Sequence, residues 1–74
     1  NANLQGADLT DAALVGANLS HADVRDADLT DANLKNANLT DADLRSATLR
    51  DVNNSGTIFC RTKTDWGIEN KDCP

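Results

Sequence analysis

An aliphatic residue occupies every fifth position over most of this chain: Leu4, Leu9, Leu14, Leu19, Val24, Leu29, Leu34, Leu39, Leu44 and Leu49. Two places before each stands an alanine, from Ala2 to Ala47 without a gap. The other three places of each unit are mostly Asn, Asp, Thr, Ser, Gly, Lys or Arg. No straight element accommodates this period. An α-helix turns about 100° per residue, so a five-residue step leaves a net rotation of about 140° and scatters the leucines around the cylinder. In a flat strand, alternation puts Ala2 and Leu4 on one face and throws Ala7 and Leu9 onto the other. The pattern closes only if the chain turns a corner once per unit, so that every alanine and every aliphatic residue points to a common inside. The Gly, Asn, Asp, Ser and Thr beyond each leucine suit such corners, because they tolerate tight turns or bond their own backbone there. A repeat in register over ten units predicts a stacked solenoid.

Units such as Ala17-Asn18-Leu19-Ser20-His21 and Ala37-Asn38-Leu39-Thr40-Asp41 resemble the A(D/N)LXX unit of the pentapeptide repeat proteins. The resemblance covers Ala2 to Leu49. It implies an all-β fold, a right-handed quadrilateral β-helix in which four units make one square coil. Residues twenty apart would stack in columns at the strand spacing of about 4.8 Å. About three coils are expected over residues 1–59, followed by a C-terminal capping segment over residues 60–74. Face one then stacks Leu4, Val24 and Leu44. Face two stacks Leu9, Leu29 and Leu49. Face three stacks Leu14 and Leu34, with Asn54 next. Face four stacks Leu19 and Leu39, with Phe59 above. These aliphatic residues and Phe59 form the expected core. The alanines matter by smallness, so a larger residue at Ala27 would overpack a tight corner.

The repeat degenerates at residues 52–56. Val52-Asn53-Asn54-Ser55-Gly56 keeps the spacing but has Asn54 where a leucine belongs. A turn-prone Asn-Ser-Gly there predicts that the coil opens or bulges, or that the Asn54 amide turns inward and finds partners. Phe59 and Trp66, the two aromatic residues, both lie near the C-terminal end, where large side chains are expected to cover an open coil. The segment after Phe59 has no five-residue period, and Asp65-Trp66-Gly67 reads as a turn. Cys60 and Cys73 close a short segment and suggest a disulfide; paired zinc ligands and free thiols are the alternatives. Thr57, Phe59, Cys60, Arg61, Thr62, Asp65, Gly67 and Cys73 also resemble the closing segment of cyanobacterial and chloroplast pentapeptide repeat proteins. That resemblance implies the thylakoid lumen or the periplasm, and a disulfide also persists in such oxidising compartments.

Charge narrows the function. The formal net charge is −5, and all of it lies on the repeat. Residues up to Ser55 hold nine Asp against four Lys and Arg, whereas Asp65, Glu69 and Asp72 balance Arg61, Lys63 and Lys71. Phosphate neutralisation needs Lys and Arg, so no direct nucleic-acid binding is expected. No apolar run reaches membrane-spanning length, so no membrane insertion is expected. Asp8 and Asp28, with Asp11, Asp31 and Asp51, form acidic columns on face two. They are a candidate interaction face beside the plainer reading of a solvated surface. A calcium site on the Asp11, Asp31, Asp51 column is disfavoured, because calcium takes six to eight oxygens from a wrapped loop. His21, the one histidine, is expected at an outward corner, solvated.

No phosphate-binding Gly-rich loop, nucleophile–base spacing or His/Cys metal cluster is present in the sequence, and corner aspartates lack the desolvation a general acid needs. Neither a cofactor nor a metal ion is expected. The sequence therefore points to a non-enzymatic structural or protein-interaction solenoid with an unidentified protein partner. The alternative is an acidic nucleic-acid mimic that binds DNA gyrase, as some pentapeptide repeat proteins do. The chain opens inside a repeat, so either a preceding cap or end-to-end self-association through the N-terminal coil is expected.

Overall fold

The computed structural model describes residues 2–73. Asn1, inside the opening repeat, and Pro74, the last residue of the expected capping segment, lie outside the described residues. The chain winds as a square coil of twenty residues per turn. Parallel bridges join Asn3 to Asp23, Asp23 to Asp43 and Asp43 to Lys63 on face one, and Asp8 to Asp28 and Asp28 to Thr48 on face two. Ala13, Asn33 and Asn53 follow on face three, and Asn18, Asn38 and Ile58 on face four. Each rung pairs through a single residue per side before the next corner, so the sheet faces are isolated bridges rather than strands.

The corners explain the repeat. In each unit the second residue after the aliphatic one has a positive φ, between 52 and 72° from Gly6 to Arg61. A positive φ at the third turn residue alone marks a type II turn. Nine of these corner residues are not glycine, and six of the nine are Asp or Asn: Asp11, Asp26, Asp31, Asn36, Asp41 and Asp51. Asp and Asn are the side chains that best tolerate this left-handed region. The following alanine amide closes the turn onto the leucine carbonyl, as in Ala37 N to Leu34 O at 2.9 Å.

Leu19, Leu29, Leu34, Leu39, Val24, Leu44 and Phe59 are buried, with Ala22, Ala27, Ala32, Ala37 and Ala42 beside them. Leu4, Leu9, Leu14 and Leu49, expected in the core with them, pack against this cluster but are only half-buried. The reason is their place in the end coils, where one side has no further rung. Each fully buried leucine stabilises by roughly 1.5–3 kcal/mol relative to exposure.

Two expectations for the C-terminal part are corrected. The coil neither opens nor bulges at residues 52–56. Asn53 N bonds Ala32 O at 3.0 Å, Leu34 N bonds Asn53 O at 2.7 Å, and Asn36 N bonds Ser55 O at 2.9 Å. The Asn54 side chain is exposed, so its amide meets water and the backbone ladder runs on undisturbed. Trp66 is not a buried lid either. It is 66% exposed, and its indole N–H donates to Glu69 at 2.8 Å. Phe59, 7% exposed, does the covering, with the Lys71 ammonium 5.0 Å above its ring.

The register also continues past Phe59. Thr62 and Thr64 take the alanine and leucine places of a fourth coil and are buried. Threonine fits the alanine place because its hydroxyl finds a carbonyl inside. Thr57 donates to Leu34 O at 2.6 Å and Thr62 to Leu39 O at 2.7 Å. Strand β1, Thr62–Thr64, then turns at Asp65 and Trp66 into β2, Gly67–Glu69, which pairs antiparallel with it. Cys60 and Cys73 are joined by a disulfide, with their Cα atoms 4.7 Å apart. It ties residues 70–73 back over face four, where Asp72 N also bonds Phe59 O at 3.1 Å.

Candidate functional site

The outward columns are the candidate site, and most of their polar residues have a task in the backbone. Take the unit Ala32 to Asn36. Ala32 N closes the turn to Leu29 O, Asn33 N bonds Ala12 O one coil before, and Leu34 N and Asn36 N bond Asn53 O and Ser55 O one coil after. Lys35 N points along the face with no carbonyl to meet. It bonds the side-chain Oδ1 of Asn33 at 3.1 Å. Nine units repeat this bond, through Asn3, Asp8, Asn18, Asp23, Asp28, Asn33, Asn38, Asp43 and Asn53, at 3.0–3.3 Å. An Asp or Asn before the leucine is therefore the acceptor for the one amide that the coil leaves over. The sequence reading treated this place as surface charge and missed the bond. The signal was the absence of Glu and Gln from this place in every unit, since only the shorter side chain reaches an amide two residues on.

The candidate interaction face divides accordingly. Asp8 and Asp28 sit in the amide-accepting place. Their carboxyls lie below the usual range, chiefly through the hydroxyls of Thr10 and Thr30, while Asp8 pushes Asp28 slightly the other way. Asp11, Asp31 and Asp51 sit in the left-handed corner place and are exposed. Among the described residues no group of three or more His, Cys, Asp or Glu side chains is placed to hold a metal ion.

Faces one and four carry ion pairs. Arg25 grips both oxygens of Asp23 at 2.8 Å, and Arg45 grips those of Asp43 at 2.9 and 2.6 Å. The Arg25 guanidinium holds Asp23 at about 2, and Arg45 holds Asp43 below the usual carboxylate range. A further pair escaped the sequence reading because its partners are twenty residues apart. Arg61, in a corner place, reaches the Asp41 corner one coil before it at 2.7 and 3.1 Å. Arg61 lowers the Asp41 carboxyl, and His21, one coil before Asp41, stands 3.6 Å from Asp41 Oδ2, which the Arg61 guanidinium also bonds. His21 is thus an exposed corner residue beside one carboxylate. Among the described residues no helix is long and apolar enough to cross a membrane.

At the C-terminal end of the core lies a cavity of about 210 Å³, lined from all four faces by Leu44, Leu49, Val52, Asn54 and Phe59 among others, with Trp66 beside them.

A family model described as pentapeptide repeats matches in eight copies, over residues 1–31 and 27–63. The chain belongs to the pentapeptide repeat family. No protein of curated function matches it. Among solved structures it is similar to HetL, a pentapeptide repeat protein involved in heterocyst differentiation regulation from the cyanobacterium Nostoc sp. strain PCC 7120. The TM-score is 0.85 and the identity 32%, over 90% of this chain and 32% of HetL. It is also similar to Rfr23, a pentapeptide repeat protein from the cyanobacterium Cyanothece 51142. Here the TM-score is 0.72 and the identity 41%, over 85% of this chain and 40% of Rfr23. The pentapeptide repeat domain described here thus spans about a third of HetL and two fifths of Rfr23. Its fold is the right-handed quadrilateral β-helix of that family.

Proposed function

We propose that this pentapeptide repeat chain is a non-catalytic solenoid that acts by presenting its faces to a protein partner in an oxidising compartment, the thylakoid lumen or the periplasm. The carrying observation is the state of its carboxyls. Every one that departs from its ordinary range, Asp8, Asp23, Asp28, Asp41 and Asp43, departs downward. That holds them ionised and is the opposite of the raised value a general acid needs near neutral pH. The interior is filled by Leu and Ala, which leaves the side faces and the C-terminal end as the surfaces on offer. The Cys60–Cys73 bridge supports the compartment, since disulfides persist where glutathione and thioredoxin do not keep thiols reduced. Involvement in regulation, as HetL has in heterocyst differentiation, suits a role exercised by binding.

The test is affinity capture from a lumenal or periplasmic extract, against a variant with scrambled outward residues. Specific enrichment of a partner, without turnover of it, is the expected result. Absence of any enriched protein would reduce the chain to a spacer. One observation favours a second reading, mimicry of nucleic acid toward DNA gyrase. Face two keeps Asp8, Asp11, Asp28, Asp31 and Asp51 with Arg50 as its one basic residue. A supercoiling assay separates the two, because inhibition or protection of gyrase is expected of the mimic alone.

A further inference from the structure

The C-terminal edge of the coil is finished on two sides and open on two. In each rung the amides of the leucine place and the corner place reach for the next coil. On face one these are Leu44 N and Ser46 N, which meet Lys63 O at 2.7 Å and Asp65 Oδ1 at 2.8 Å. On face four they are Phe59 N and Arg61 N, which meet Asp72 Oδ2 at 3.0 Å and Asn70 Oδ1 at 2.9 Å. The tail thus supplies one acceptor for each. On faces two and three the same places are Leu49 N, Asp51 N, Asn54 N and Gly56 N, and among the described residues these make no hydrogen bond. Ala47 O and Val52 O, the matching acceptors, are equally unmatched among the described residues. Six backbone groups along one edge thus have the spacing and polarity of a missing rung, and an exposed edge of this kind templates an added strand.

We infer that this open edge of faces two and three is the docking site for one extended peptide segment that carries a large apolar side chain and, two residues after it, a basic one. The inference rests on the protein-interaction reading above and names its surface. The apolar requirement comes from the cavity. At about 210 Å³ it is smaller than the roughly 300–1,000 Å³ of small-molecule sites, and its lining includes Leu49 and Asn54, the two leucine places on which the added rung would stack, with Trp66 beside them. The basic requirement comes from a precedent in the same molecule. Arg61 sits one rung above Asp41 in a corner column and pairs with it at 2.7 Å. Asp51 ends its own corner column exposed, with the same relation to a residue in the added rung. A second copy of the chain is a poor occupant, since β2 and residues 70–72 already cover faces one and four, and a square coil cannot seat on two faces.

The experiment titrates the intact, oxidised protein with the synthetic peptide ANLTKANLTK and follows the emission of Trp66, the single tryptophan. A saturable change is expected. Replacing both peptide leucines with serine should weaken binding at least about tenfold, the equivalent of losing one buried aliphatic side chain. Asp51→Asn, which keeps a residue suited to the left-handed corner, should weaken the lysine peptide about two- to fivefold, the range of an exposed pair. It should leave unchanged a peptide with asparagine in place of lysine. No saturable change at millimolar peptide, with circular dichroism unaltered, overturns the inference, as does equal affinity for the serine peptide. So does self-association in light scattering that the peptide fails to compete away, because the occupant would then be a second copy. A partner captured from extract whose binding survives excess peptide removes this edge while leaving the interaction reading in place.

Discussion

Asn38→Ala isolates the side-chain-to-amide bond on which the repeat depends. Asn38 Oδ1 accepts from Thr40 N at 3.0 Å and from Thr40 Oγ1 at 2.6 Å. Its own backbone bonds, Asn38 N to Ala17 O and Leu19 N to Asn38 O, involve no side chain and survive the change. The variant therefore removes one acceptor and strands one half-buried amide, in the middle of the stack where fraying does not relieve it. A lost bond costs about 0.5–1.5 kcal/mol, and partial desolvation of the orphaned amide brings the total to about 1–2 kcal/mol. For a chain of this size that lowers the melting temperature by roughly 5–12 °C. Thermal unfolding followed by far-ultraviolet circular dichroism reads it. Asn38→Asp keeps the acceptor and should stay within about 0.5 kcal/mol of the parent. The reverse change is equally informative. Ala13 occupies the same place without an acceptor, so Ala13→Asn should stabilise by up to about 1 kcal/mol. A melting temperature for Asn38→Ala within about 1 °C of the parent, or an equal loss in Asn38→Asp, would refute the reasoning.

Three further outcomes follow from the same geometry. Gly56→Ala and Gly16→Ala should both destabilise in a urea melt by the strain of a left-handed corner, at φ +70° and +69°, and by similar amounts, since the Cβ added at Gly56 meets only the end of the exposed Asn36 side chain, which can swing aside. Reduction of the Cys60–Cys73 bridge, or Cys73→Ser, should lower stability by about 3 kcal/mol in the chain-entropy limit and speed exchange of the Phe59 and Arg61 amides, which the tail holds. Acid should destabilise with a definite sign. Asp23 falls to about 2, and Asp8, Asp28, Asp41 and Asp43 fall as well. Depressed carboxyls contribute stability above the unfolded value of about 3.9 and lose it as pH falls through the folded one. The melting temperature should therefore hold from neutral pH to about 5 and drop between about 4 and 2, and Asp23→Asn should flatten part of that drop.

The leucine period made a corner in every unit and a common inside legible before any coordinates, and the resemblance to the pentapeptide repeat proteins implied the square coil, its faces and its twenty-residue columns. Less visible was why Asp and Asn crowd the outside. Read as charge, Asp28 and Asp31 look alike. In the fold they do different work, one accepting an amide two residues on and the other adopting a left-handed corner. That difference becomes apparent only when each amide is assigned a partner. Asn54 misled in the other direction: a polar residue in a leucine place suggested a broken coil, but the ladder is held by backbone groups that do not consult that side chain. The Arg61–Asp41 pair and the four open amides depend on which rung lies above which, and on how residues 65–73 fold back over the coil. Neither follows from local spacing.

Residue-resolved amide hydrogen exchange tests the central claim most directly, since it reads every backbone group separately. The amides of Thr30, Lys35 and Thr40, held only by the side chains of Asp28, Asn33 and Asn38, should be protected along with the ladder amides of Leu29, Leu34 and Leu39. Those of Leu49, Asp51, Asn54 and Gly56 should exchange fast. Rapid exchange at Thr30, Lys35 and Thr40 in an otherwise protected coil would contradict the account.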